Sequence, residues 1–184
     1  LSDELEAARK PTFFYLYWDG LDTLGHTYSP HSREIGVELD SLSRLLTEQL
    51  RGLLGPNGRR AAGRTLLLVT ADHGQTRIFP ERTIYITDYP EVRDALSSKR
   101  NGDPILPTGS MRDVFLHVRR GKIEETRDFL ARILEGKAEV WTTQEAFEKG
   151  LFGLGTPTRR FRDRVGSLLV LPYPGEAVWG HYPD

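Results

Sequence analysis

Two short segments of the chain carry pairs of side chains that could bind a metal ion. Asp22 and His26 are four residues apart, and Asp72 is followed directly by His73. A spacing of four places a carboxylate and an imidazole on the same side of one helical turn. Carboxylate oxygen and imidazole nitrogen are ligands that suit zinc or manganese. The residue types therefore indicate a candidate site for divalent metal ions.

Each pair also has an ordinary structural interpretation. Asp22 could cap a helix beside a surface His26, and Asp72 could cap the segment that follows it while His73 packs against a sheet. Gly74 favours the metal interpretation of the second pair, because glycine frees the backbone and lets both neighbouring side chains turn toward one ion. The pairs alone leave both interpretations open.

Two predicted strands would place the pairs at one edge of a sheet. The apolar runs 13–18 and 65–70 are typical of strands buried on both faces, and the segment 32–54 between them has the leucine spacing of an amphipathic helix. Strand, helix and strand predict a βαβ unit with parallel strands and a right-handed crossover. Ligands of open α/β sheets bind beyond the carboxyl ends of the strands, so the two pairs are expected to meet there.

The rest of the chain is expected to continue an α/β fold with a mostly parallel sheet flanked by helices. Further strands and helices are predicted as follows: strands at 83–87, 113–118, 139–141 and 166–171, and helices at 124–134, 144–149 and 159–164. We expect residues 1–110 to form the core portion that carries the metal motifs. Residues 111–165 could form a small α/β lobe, and residues 166–184 are expected to return to the core.

The amino-acid composition excludes several kinds of binding partner and several kinds of chemistry. The 184 residues suffice for one domain, and 25 basic against 26 acidic side chains give a net charge of -1. This balance provides no bulk attraction to nucleic acid, so no nucleic-acid partner is predicted. The absence of cysteine excludes disulfides, thiolate metal sites and a cysteine nucleophile. No transmembrane segment and no signal peptide is predicted, and the compartment stays open.

Several segments resemble a known family. The segment 17–26 resembles the Asp-x-x-Gly-His segment of type I phosphodiesterases and nucleotide pyrophosphatases, which belong to the alkaline phosphatase superfamily. The segment 70–74 resembles the second metal segment of that superfamily. Similarity to bacterial members extends to three further segments, at 115–118, 149–153 and 164–170. The resemblance covers roughly residues 12 to 178 and implies an alkaline-phosphatase-like core.

The resemblance implies metal-dependent hydrolysis of phosphodiester or pyrophosphate bonds in a small-molecule or nucleotide substrate. Two divalent ions are expected, most often zinc, with manganese as an alternative. One ion would be held by Asp22 and His26 together with a later histidine. The other would be held by Asp72 and His73 together with an earlier aspartate and a nucleophilic threonine or serine. That hydroxyl would attack phosphorus, and water would release the phospho-enzyme.

The chain departs from the family pattern in the residues expected before Asp22 and in the late histidine. The nucleophile and the earlier aspartate of the family lie well before the first segment, and Thr12 stands at the start of a predicted strand instead of its carboxyl end. No nucleophile is therefore identified. His181 is a further candidate ligand, although Tyr182 follows it where the family has glycine. The chain also begins with Leu1 instead of methionine.

These departures lead us to expect the carboxyl-terminal part of a catalytic domain, which would be inactive without the missing amino-terminal part. Two alternatives stay open at this point. One is a phosphomutase or phosphonate hydrolase of the same superfamily, and the other is a non-catalytic fragment.

Overall fold

The computed structural model describes residues 2–54, 63–153 and 155–181. The chain divides into two compact units, Leu1–Arg77 and Ile78–Asp184, which are called unit 1 and unit 2 below. The division into a core portion, a small lobe and a return segment stays a prediction, and residues 182–184 of the return segment lie outside the described residues. Within the described ranges, no helix is both long enough and apolar enough to cross a membrane.

The regular secondary structure in the described part of unit 1 consists of helices. They are α1 (Ser2–Ala7), α2 (Gly20–Tyr28) and α3 (Arg33–Leu54). Both α1 and α2 pack against α3. The helix predicted at 32–54 is thus confirmed, and its half-buried side chains include Leu42, Leu46 and Leu50. Leu39, which the leucine spacing places on the same stripe, is 48% exposed.

The apolar runs 13–18 and 65–70 are not strands in this structure. Phe13 is 87% exposed and Leu66 is 82% exposed, whereas the prediction required burial on both faces. A strand exists only with a partner that completes its hydrogen-bond ladder, and neither run has such a partner among the described residues. The predicted βαβ unit is therefore not found in the part of unit 1 that the structure describes.

Unit 2 contains a four-stranded antiparallel sheet. Its strands are β2 (Thr108–Ser110), β3 (Asp113–Leu116), β4 (Ala138–Thr142) and β5 (Leu168–Pro172), in the order β2-β3-β5-β4. The α-helices in the described part of this unit are α4 (Pro90–Arg93), α5 (Ile123–Ile133), α6 (Thr143–Glu148) and α7 (Arg159–Val165). A second, two-stranded sheet is parallel: β1 (Ile84–Tyr85) pairs with β6 (Val178–Trp179).

These sheets confirm the mixed α/β class but not a mostly parallel sheet. Met111 and Arg112 alone separate β2 from β3, and so short a connection can join only antiparallel neighbours. The last long strand, β5, then lies between β3 and β4 and runs opposite to both. The antiparallel directions in this sheet therefore follow from the short β2–β3 connection and from the insertion of β5.

The core of unit 2 lies between its sheet and α5. Leu116, Leu168 and Val170 are fully buried on the strands, and Leu130 and Leu134 face them from the helical side. Complete burial of one such side chain contributes about 1.5–3 kcal/mol. All buried apolar side chains among the described residues belong to unit 2, so its sheet is the main packed core of the described structure.

Candidate functional site

Helix α2 places the first predicted pair on one face. Asp22 lies in the first turn and His26 in the last turn, positions at which the helix dipole favours an anion and a cation respectively. The Nε2 atom of His26 is 3.4 Å from Oδ1 of Asp22. The predicted side-by-side placement of this carboxylate and imidazole is therefore present in the structure.

The segment 72–75 brings the second pair to the same carboxylate. The Nε2 atom of His73 is 3.8 Å from Oδ1 of Asp22 and 3.9 Å from Oδ2 of Asp72. The Nδ1 atom of His73 is 3.1 Å from the carbonyl oxygen of Gly74. Because a carbonyl only accepts hydrogen bonds, this contact requires a proton on Nδ1, and Nε2 is the ring nitrogen that faces the two carboxylates.

The carboxylate oxygens and imidazole nitrogens of these two pairs are atom types that bind divalent cations. Two ligands of one tetrahedral zinc ion, each about 2.0–2.2 Å from the metal, lie roughly 3.4 Å apart. The 3.4 Å between His26 and Asp22 matches that spacing, and His73 lies a few tenths of an ångström farther out. Across residues 2–54, 63–153 and 155–181, no three His, Cys, Asp or Glu side chains are arranged so that they could hold a metal ion. The candidate ligands are thus present as pairs, and the side chains of Asp22, His26 and His73 are exposed to solvent.

Gln75 contacts the cluster although the sequence did not single it out. Its Nε2 atom donates to Oδ1 of Asp22 at 2.7 Å and to the main-chain oxygen of Asp22 at 3.2 Å. The only sequence signal for this residue is its position directly after the Asp-His-Gly segment. Gln75 therefore links the two segments that carry the candidate ligands.

Tyr17 is a second residue that the sequence did not single out as functional, although it begins the segment 17–26. The negative charge of Asp72, followed by burial and by the charge of Asp22, raises the pKa of Tyr17. An ordinary tyrosine is protonated near neutral pH, and a raised pKa keeps the phenol a hydrogen-bond donor there. Tyr17 is 65% exposed, so a solvent-borne ligand can reach it.

The start of α2 is held against α3. The indole nitrogen of Trp18 donates to Oε1 of Glu38 at 2.8 Å. Gly20, the first residue of α2, lies against the same carboxylate, where any side chain would overlap Glu38. These contacts fix the helix that presents Asp22 and His26.

His181 belongs to unit 2 and has partners there. Its Nδ1 atom is 2.8 Å from Oδ1 of Asp88, and its main-chain N–H donates to Oγ1 of Thr87 at 2.8 Å. The imidazole stacks on Tyr85 with ring centroids 3.9 Å apart. The ring is therefore oriented by a carboxylate and an aromatic face, and its assignment as a metal ligand stays a prediction.

Comparison with known proteins identifies the family to which this chain belongs. The sequence profile of the type I phosphodiesterase / nucleotide pyrophosphatase family matches residues 1–182. The chain therefore belongs to this family, which confirms the family resemblance described above.

Individual relatives match over a smaller part of their length. Venom phosphodiesterases of Crotalus durissus collilineatus and Macrovipera lebetinus are each 36% identical over 86 residues, which cover 47% of this chain and 10% of each relative. Among solved structures, murine ectonucleotide pyrophosphatase / phosphodiesterase 5, an inactive variant in complex with AMP, matches 100% of this chain with a TM-score of 0.63. That match has 21% identity and covers 44% of the murine chain, so it shows the fold alone.

Proposed function

We propose that this protein takes part in the metal-dependent hydrolysis of phosphodiester or pyrophosphate bonds, and that residues 1–184 supply part of a two-metal site. The observation that carries this proposal is the meeting of two segments far apart in sequence. His26 of α2 and His73 of the segment 72–75 both direct Nε2 toward Asp22, in a chain that belongs to this family of hydrolases.

The proposed roles follow the donor atoms. Asp22 and His26 would hold one ion, and Asp72 and His73 the other, with zinc as the better match and manganese as the alternative. Bound metal would supply a Lewis acid for the phosphoryl oxygens and activate the attacking hydroxyl.

A small-molecule phosphodiester or a nucleotide is the proposed substrate. The murine relative is an ectonucleotide pyrophosphatase / phosphodiesterase that was solved in complex with AMP, and its fold matches the whole of this chain. The exposed position of His26 and His73, whose side chains are 74% and 55% exposed, leaves the cluster accessible to such a molecule.

We further propose that the nucleophile and additional ligands come from polypeptide outside residues 1–184. The matched region is 44% of the murine chain, and no nucleophile is assigned to any residue here. His181 is retained as a candidate ligand, oriented by Asp88. The 184-residue chain is accordingly expected to bind metal weakly and to hydrolyse very slowly, because catalytic groups that act as a unit lose most of their effect when one is missing.

The test combines metal binding with hydrolysis. Isothermal titration of the metal-free chain with zinc, and separately with manganese, should show binding that Asp22→Ala and Asp72→Ala each weaken. Asp94→Ala, which removes an exposed carboxylate of unit 2, is the matched control and should bind as the unchanged chain does. Absence of binding by the folded, unchanged chain would refute the metal site.

Hydrolysis tests the second part of the proposal. A chromogenic phosphodiester should be cleaved by the complete catalytic domain with added zinc, and far more slowly by the 184-residue chain. Equal rates for the two proteins, abolished by Asp72→Ala, would show that the nucleophile lies within these residues and that the partial-site proposal is wrong.

A further inference from the structure

Gln75 contacts the candidate metal site without being one of its ligands. Its amide nitrogen bridges both the carboxylate and the main-chain oxygen of Asp22, at 2.7 and 3.2 Å. Asp22 lies on α2, whereas Gln75 follows His73 by two residues on the segment 72–75. This single side chain therefore joins the two halves of the site.

The helix can approach Gln75 this closely only because residue 25 is glycine. Gly25 is the buried residue of α2, and a Cβ atom placed on it would overlap the Gln75 amide, with Oε1 as its nearest neighbour. The amide is therefore oriented from two sides. Its nitrogen faces the oxygens of Asp22, and its oxygen fills the position that a side chain at residue 25 would take.

A neutral amide suits this position. A carboxylate offers about four lone-pair sites, so Asp22 can accept a hydrogen bond from Gln75 and still bind a cation. The amide adds no charge that would repel the metal or compete with it. Hydrogen bonds to metal-binding carboxylates orient the ligand, and their loss typically lowers metal affinity by about 10–100-fold.

We propose that Gln75 is a positioning residue of the metal site, which holds the Asp22 carboxylate in register with His73, and that Gly25 provides the space this contact requires. The inference rests on the proposed function, because it assigns Asp22 and His73 as ligands. A purely structural role for Gln75 would change the stability of the fold and leave metal affinity unchanged, so the two roles are separable by experiment.

The first measurement is zinc affinity of the metal-free chain by isothermal titration. Gln75→Leu removes the donor while keeping a side chain of similar length, and we expect a 10–100-fold loss of affinity. Gln144→Leu is the matched control, because the Gln144 amide also donates to a carboxylate, Oε1 of Glu148 at 2.8 Å, but in unit 2. The control should bind zinc as the unchanged chain does.

Gly25→Ala gives a second, independent measurement. Alanine forms helices better than glycine, so α2 should become more stable and the thermal midpoint should not fall. The added Cβ would displace the Gln75 amide from Asp22. We therefore expect zinc affinity to fall as in Gln75→Leu, and the double variant to lose little more than either single one. A loss of affinity without a loss of stability is the signature of positioning.

The outcomes separate the inference from the proposed function. If the unchanged chain binds zinc and both variants bind it within twofold, the inference is wrong and the proposed function stands. If the folded, unchanged chain binds no zinc, the proposed function fails and the inference fails with it. If Gln75→Leu does not fold, Gly25→Ala decides the question by the same criterion.

Discussion

Helix α6 should depend on a capping box that loses its effect in acid. Oγ1 of Thr142 accepts a hydrogen bond from the N–H of Glu145 at 3.1 Å, and Oε2 of Glu145 accepts one from the N–H of Thr142 at 2.6 Å. The helix follows β4 directly and buries Ala146 completely. The box therefore anchors the start of α6 to the sheet of unit 2.

The expected cost of Thr142→Ala follows from these bonds. Replacing an N-cap threonine by alanine costs about 0.5–2 kcal/mol of unfolding free energy. The hydroxyl of Thr142 also donates to Glu145 at 2.9 Å, so we expect a value in the upper half of that range. In a unit of this size, 1 kcal/mol lowers the thermal midpoint by about 4–8 °C.

The sign of the pH dependence follows from Glu145. Hydrogen bonds from the backbone and then from the side chain of Thr142 lower the pKa of Glu145. A lowered carboxyl pKa contributes stability that is complete above the unfolded-state pKa, about 4.3, and is lost as the pH falls through the folded-state pKa. The difference in stability between the unchanged chain and Thr142→Ala should therefore be largest near pH 7 and should narrow below about pH 4.

Urea unfolding at pH 7 and at pH 3.5 tests this expectation. Thr158→Ala is the matched control, because Thr158 caps α7 through the N–H of Phe161 at 3.2 Å without a glutamate to complete a box. The loss of unfolding free energy caused by Thr158→Ala should not depend on pH. A cost of Thr142→Ala below about 0.3 kcal/mol at pH 7, or one that stays constant in acid, would refute the reasoning.

Three further changes have defined outcomes. Glu38→Leu removes the acceptor of Trp18 and should speed hydrogen exchange in α2, measured by mass spectrometry, whereas unchanged exchange would show that this contact does not hold the helix. Leu130→Ala should cost about 2–5 kcal/mol in urea unfolding, because Leu130 is completely buried, and a cost under 1 kcal/mol would contradict the assigned core. Burial lowers the pKa of His117, so its neutral form adds stability above pH 6.5 that is lost as the pH falls. His117→Leu should flatten the unfolding free energy between pH 7 and pH 5, and an unaltered slope would exclude His117 as its source.

Local features of the sequence predicted the elements that depend on local physics. The leucine spacing of 32–54 predicted α3, since a helical period can be recognised within a few turns. The four-residue spacing of Asp22 and His26 predicted their shared face for the same reason. These features need only neighbouring residues, so the sequence alone was sufficient for them.

Tertiary structure decided what depends on distant partners. The runs 13–18 and 65–70 have the composition of buried strands, but a strand needs a neighbouring ladder that composition cannot supply. The contact of Gln75 with Asp22 likewise depends on how the segment 72–75 packs on α2, and it requires the small residue Gly25 on that helix. Which residues meet across the fold is set by packing and chain connections, because the side chains that meet lie far apart in the sequence.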